Sequence, residues 1–291
     1  MARPTSEEPM ADDDPVLLTC AISGAVADRD QCPAIPYTPA EYAAEARRAV
    51  DEGAAMIHIH ARTPDGAPSY EVADFRAITE AITAEVDVVV NYSTGAIGVP
   101  VPKRVAYLRA LRPEVAALNM GSMNYAKYSR SRREFVFSFV FANPFDEIIA
   151  LLEAMNELGI KPEHECFDLG HVGSLEPLVH KGVLREPLHV SCVMGVLGGV
   201  PPTARNLAAM VDNIPAGSHW GLIGIGRGQW GLVSAALALG GSVRVGLEDN
   251  FYLPDGVMAR SNGDLVGRAR RMAEDTGRRV ATVEEARAML A

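Results

Sequence analysis

At 291 residues the chain is long enough for one large domain or two ordinary ones, and its formal net charge of -10 argues against a nucleic-acid partner held through phosphate contacts. Hydrophobic residues make up 48% of it, ample for a large core. No segment reaches the roughly eighteen uninterrupted apolar residues of a membrane span, so a soluble protein without a membrane partner is expected. Cys20, Cys32, Cys166 and Cys192 are scattered, with no C-x-x-C spacing, which suits reduced thiols in a cytoplasm.

Residues 1–15 carry Pro4, Pro9 and the acidic residues Glu7, Glu8, Asp12, Asp13 and Asp14 with no apolar stretch, a disordered lead-in rather than a signal peptide. Residues 16–22 read as a first strand. Thr38-Pro39-Ala40-Glu41 supplies an N-cap, a first-turn proline and a capping-box glutamate for a helix ending near Gly53. A second strand holds His58-Ile59-His60. A helix over residues 70–84, a strand over 86–91, a helix over 103–111 and a strand over 115–119 follow.

Residues 134–141 look like a further strand, and 143–158 like a helix capped by Asn143 with Pro144 at its first position. Strands over 163–168, 188–194, 220–225 and 242–247 then alternate with helices over 175–182, 204–211 and 229–239. Two C-terminal helices follow, the second capped by Thr282 with Glu285 three residues on. Eight or nine strands interleaved with helices mean a parallel sheet covered by helices. Eight repeats in this length favour an α/β fold closed into a (β/α)8 TIM barrel over an open sheet, with residues 16–291 as one catalytic domain.

His58 and His60 lie one residue apart, so on a strand their imidazoles point the same way and make a ready pair of metal ligands. The turn-rich Ala61-Arg62-Thr63-Pro64-Asp65-Gly66 follows at once. This places the pair at the strand's C-terminal end, where barrels keep their active sites. Two polar residues satisfied by hydrogen bonds at a strand end would read the same way.

Other polar residues also gather just after strands: Asn91-Tyr92-Ser93-Thr94-Gly95; Asn119 to Asn124; Glu165, Asp168 and His171; Gly224-Ile225-Gly226-Arg227-Gly228; and Arg244, Glu248, Asp249 and Asn250. A catalytic zinc takes three protein ligands and keeps one position open, and His2Glu is a standard set. Glu248 suits the third place, because Arg244, Gly246 and Glu248 share one face of a strand; as a surface carboxylate it would serve only as a cap. His171 is a further ligand candidate, whereas His164, His180, His189 and His219 lack ligand-like spacing. The glycines from 224 to 228 miss the dinucleotide-binding spacing. They suit an anion held by backbone amides, with Arg227 adding charge.

The His58-Ile59-His60 strand, the Asn91-to-Gly95 turn, the Gly224-Ile225-Gly226-Arg227 loop and above all Val243-Arg244-Val245-Gly246-Leu247-Glu248-Asp249-Asn250 together resemble the beta-keto acid cleavage enzymes, over about residues 17–290. The resemblance implies a zinc-dependent (β/α)8 barrel, commonly a homo-oligomer, that takes a beta-keto acid and acetyl-CoA and yields acetoacetate and a new acyl-CoA. By motif matching, His58, His60 and Glu248 bind Zn²⁺. Arg244 and Asp249 are the catalytic pair, Glu165 is a supporting carboxylate and Ser93 a substrate-contacting hydroxyl. Asn119, Gly226 and Arg227 complete the expected substrate-binding set together with Val26.

Two positions depart from the 3-keto-5-aminohexanoate cleavers. Val26 stands where they carry a glutamate suited to an ammonium group, and an apolar side chain cannot compensate a buried cation, so an uncharged tail is expected. Ala117 stands where they have a threonine, with Ser122 as a substitute. A metal-dependent hydrolase working without acetyl-CoA, and a metal-binding barrel without activity, stay open beside this reading.

Overall fold

The computed structural model describes residues 15–291, so the expected acidic lead-in lies, Pro15 apart, outside the described residues. Among these residues ten strands run in chain order: β1 (Leu18–Ala21), β2 (Met56–Ile59), β3 (Val89–Ser93), β4 (Val115–Asn119), β5 (Met123–Ser129), β6 (Glu134–Phe141), β7 (Lys161–Cys166), β8 (His189–Met194), β9 (His219–Gly224) and β10 (Ser242–Val245). All but β5 and β6 are parallel and close into a barrel in the order β1-β2-β3-β4-β7-β8-β9-β10, with helices covering it. Every residue of β2, β3 and β4 is buried, because a parallel barrel strand packs one face on helices and the other on the axis.

The capping boxes form as the sequence predicts. Thr38 caps α1 (Pro39–Asp51) with Glu41, and Thr282 caps α10 (Val283–Leu290) with Glu285. Ala286 and Leu290 of α10 pack with Leu17, Met56, Val89 and Val115, which stand at the N-terminal ends of their strands. That end of the barrel is plugged, so chemistry is left to the other mouth.

Three expectations change. The strand expected over 134–141 is not part of the barrel: as β6 it pairs antiparallel with β5, and the hairpin stands between β4 and α4 (Phe145–Leu158). β1 and β3 begin later than their apolar runs suggest; Val16 bridges to Val280, and Val86 is the C-cap of α2 (Val72–Glu85). Asn143 caps nothing. Its side-chain amide donates to the Gly121 carbonyl at 3.3 Å and its N–H to Ser122 Oγ at 2.7 Å, binding the base of the hairpin, while Pro144 takes the N-cap position of α4.

Burial holds the His164 imidazole down at about 4 and that of His189 at about 3, and His164 Nδ1 pairs with the His189 carbonyl at 2.8 Å. An unfolded chain protonates both near 6.5, so their contribution to stability is complete above that pH and is lost as pH falls from 6.5 toward 4. Each buried histidine then adds about 1.4 kcal/mol of destabilisation per pH unit. Replacing His164 with asparagine is therefore expected to cut the loss of stability between pH 6 and pH 5 by about 1 kcal/mol, read from urea midpoints of both proteins at each pH. Equal losses in the two would contradict this assignment.

Candidate active site

β2 delivers His58, and His60 follows just past its end; the period of two turns both rings toward the barrel axis, His58 fully buried and His60 partly. β10 delivers Arg244 but stops at Val245, so Glu248 does not arrive on the continuing strand as the sequence pattern suggests. Gly246 bends the chain with φ 142°, where a Cβ would stand 2.2 Å from the Ala21 carbonyl oxygen. The turn is pinned by Glu248 N–H donating to Ala21 O (3.1 Å) and Asp249 N–H to Gly246 O (3.0 Å). It brings Glu248 back beside Arg244, over Gly24, whose missing side chain makes the room: a Cβ there would lie 2.7 Å from Glu248 Cγ.

His58 Nε2 and His60 Nε2 stand 3.7 and 3.4 Å from the two Glu248 oxygens. Two ligands bound about 2.0–2.1 Å from a tetrahedral zinc are separated by roughly 3.3 Å. Among the described residues this is the one group of three such donors whose ligand atoms all fall within 4.8 Å of one another. Burial first, then Arg244, pushes the His58 ring down to about 3, which keeps its lone pair free at neutral pH. Burial opposes ionisation of Glu248, but Arg244, His60 and His58 outweigh it and hold the carboxyl well below its usual range. Glu248 Oε2 is buried with no hydrogen-bond partner. A pair of imidazoles beside an ionised carboxylate with an open oxygen is a donor set that fits a divalent cation.

Arg244 joins three carboxylates. Its Nε and Nη2 donate to Asp249 Oδ2 and Oδ1 at 3.0 and 2.9 Å, Nη2 also reaches Glu248 Oε1 at 2.6 Å, and Nη1 reaches Glu165 Oε1 at 3.2 Å. Burial is the leading influence on Asp249 and outweighs Arg244, lifting that carboxyl to about 6; it lifts Glu165 to about 8. Both carboxyls are therefore better proton acceptors than free carboxylates, which suits general-base work.

A cavity of about 610 Å³ opens here, and His60, Ser93, Asn119, Glu165, Arg244, Glu248 and Asp249 line it together with Val26 at its rim. Gly226 and Arg227 are not among its lining residues; the Arg227 guanidinium stacks 3.8 Å over the Tyr252 ring. Ala117 is buried beside Ser93 in the β3–β4 register. Ser122 is not among the residues lining the cavity, and its hydroxyl accepts the Asn143 N–H. His171 accepts the Phe167 N–H on Nδ1 and packs against Gly121, away from the ligand group.

Three contributors escape sequence reasoning. Tyr125, Phe137, Phe139 and Phe141 of the hairpin line the cavity, Tyr125 stacking on Phe139 with centroids 5.3 Å apart. Alternate aromatic residues over 137–141 are the signal that could have revealed this face. Arg62 is buried and donates to the carbonyls of Ser23, Gly24, Ala27 and Gly66, fixing the loop that carries Val26. Glu163, one turn of the pleat below Glu165, accepts from Asn91 Nδ2 and from Ser191 Oγ (2.6 Å).

A 3-keto-5-aminohexanoate cleavage enzyme of Fusobacterium nucleatum is 38% identical over 277 residues, covering 94% of this chain and 97% of the relative. A 3,5-dioxohexanoate:acetyl-CoA acetone transferase of Paraburkholderia graminis is 36% identical, covering 94% and 95%. Among solved structures, apo ObcA superposes with a TM-score of 0.74 at 22% identity, over 89% of this chain; the chain spans 65% of ObcA's length, and the likeness is one of fold. The profile of the beta-keto acid cleavage enzymes matches residues 15–291, the whole of the barrel and its site, and the chain belongs to that family.

Proposed function

We propose that this enzyme is zinc-dependent and condenses a beta-keto acid carrying an uncharged, apolar tail with acetyl-CoA, giving acetoacetate and the acyl-CoA of the tail. The observation that carries the reading is the cavity in which the His58-His60-Glu248 donor set meets the Arg244-Asp249 pair. Zinc held by His58, His60 and Glu248 would act as a Lewis acid on the keto acid's oxygens and acidify its C2 protons. Asp249, oriented by two hydrogen bonds from Arg244, takes a C2 proton. The C2 carbanion forms a bond to the acetyl carbonyl carbon and CoA leaves as thiolate. The thiolate then adds to the original keto carbon, whose bond to C2 breaks, and the C2 carbanion takes back the proton held by Asp249, so acetoacetate and the new acyl-CoA account for every atom. Ser93 and Asn119 line the cavity as donors to the oxyanions formed at each addition.

The tail's class is read from the rest of the lining. Beyond the metal-and-carboxylate cluster the cavity presents no charged side chain among the described residues; Val26, Ile97, Val193, Val196 and the hairpin rings make its wall. Burial of each additional methylene is worth about 0.8 kcal/mol, so kcat/KM should rise about three- to fourfold per methylene from 3-oxopentanoate to 3-oxooctanoate. Phe139→Ala should flatten that series, and 3-oxo acids with an ammonium or carboxylate tail should be poor substrates. Acyl-CoA formation with and without acetyl-CoA is the assay. Turnover without acetyl-CoA would make the protein a hydrolase, and preference for a charged tail would overturn the assignment of Val26 and the aromatic wall.

A further inference from the structure

Below the ligand group, the barrel interior holds a buried polar chain that the chemistry above does not use. Asn91 on β3 is fully buried; its Nδ2 donates to Glu163 Oε2 on β7, and Glu163 Oε1 accepts the hydroxyl proton of Ser191 on β8. Two atoms at the upper end of this chain have no partner: Asn91 Oδ1 and His58 Nδ1, both buried. They are neighbours by construction. His58 and Asn91 are register partners on adjacent parallel strands, side chains on the same face of the sheet, with backbones about 4.8 Å apart.

We propose that Asn91 is a positioning residue for the metal ligand His58, its Oδ1 accepting the Nδ1 proton so that the ring stays in the tautomer that leaves Nε2 open toward Glu248. The direction of the chain follows from donor and acceptor counting. Both Glu163 oxygens accept, one from Asn91 and one from Ser191, so the Asn91 amide turns its NH₂ to Glu163 and its carbonyl oxygen outward from the pair. Ser191 in turn occupies the other Glu163 oxygen and stops the carboxylate from rotating. An imidazole that gives one nitrogen to a metal needs a partner at the other to fix ring and tautomer, and an unpaired buried N–H is costly. Among the described residues no other group is bonded to His58 Nδ1, and Asn91 Oδ1 is the unpartnered acceptor on the neighbouring strand. The inference rests on the metal reading of His58, His60 and Glu248.

The test is zinc affinity of the apoprotein, measured by competition with a chromophoric chelator, alongside the apoprotein's thermal midpoint. Wild type is expected to bind one zinc per chain. Asn91→Ala should weaken binding about 10- to 100-fold. Glu163→Gln, which can still accept from Asn91 and hold Ser191, should cost less than Glu163→Ala. A role in packing alone would lower the apoprotein's midpoint and leave zinc affinity within twofold, and that result overturns the proposal. So does a loss of affinity in Glu163→Ala with none in Asn91→Ala, which would mean that His58 donates to Glu163 directly. If wild type binds no zinc, the metal reading itself fails, an outcome separate from any comparison of variants.

Discussion

Replacing His58 with alanine, or Glu248 with alanine, is expected to abolish acyl-CoA formation, by at least about 10³-fold, together with stoichiometric zinc. The two sides of the donor set fail for different reasons. His58 supplies a buried nitrogen that burial keeps neutral, and alanine leaves the remaining pair, His60 and Glu248, with too few ligands to bind tightly. Loss of Glu248 removes the negative charge on which two imidazoles and Arg244 converge, so three cationic or cation-seeking groups are left facing one another. Zinc content by atomic emission and turnover should fall together in both variants. Full activity after exhaustive chelation of the wild type would defeat the assignment, whatever the variants do.

Asp249→Asn is expected to lower kcat about 10²- to 10⁴-fold while zinc stays bound, because the amide keeps the shape of the carboxylate and removes the base. Arg244 grips Asp249 through two of its nitrogens, and an amide can accept only one of those bonds well. The nitrogen's own protons then meet the guanidinium, so some distortion adds to the chemical loss. Measuring kcat, KM for the keto acid and zinc content in one preparation separates the effects. Unchanged kcat with a raised KM would reassign Asp249 to binding.

Much of the barrel and its mouth is legible in the sequence because the signals there are local. Period-two logic places His58 and His60 on one face, and capping boxes at Thr38 and Thr282 mark helices that the structure contains. Period-two logic also puts Arg244 and Glu248 together, although the cause is the Gly246 turn rather than a longer strand. The hairpin is illegible for a physical reason: residues 134–141 are apolar enough for a barrel strand, and only the antiparallel partner at 123–129, with its mixed burial, shows that both faces are used differently. Contacts between barrel elements far apart in sequence leave no local trace. Glu163 meets Asn91 across 72 residues of sequence, and Arg62 meets Ser23 across 39. Such partners are set by barrel closure, which brings distant strand positions into one layer.

The Arg62 anchorage has an evolutionary meaning. With carbonyls on both flanks of Ala25 and Val26 clamped by one guanidinium, the loop keeps its path while the side chains at its tip are free of structural duty, Val26 being 68% exposed. A mutation at the tip is therefore expected to alter the rim of the cavity without disturbing the barrel or the His58-His60-Glu248 cluster. One such scaffold can drift among substrates by single substitutions, each step foldable and each still equipped with its reaction chemistry.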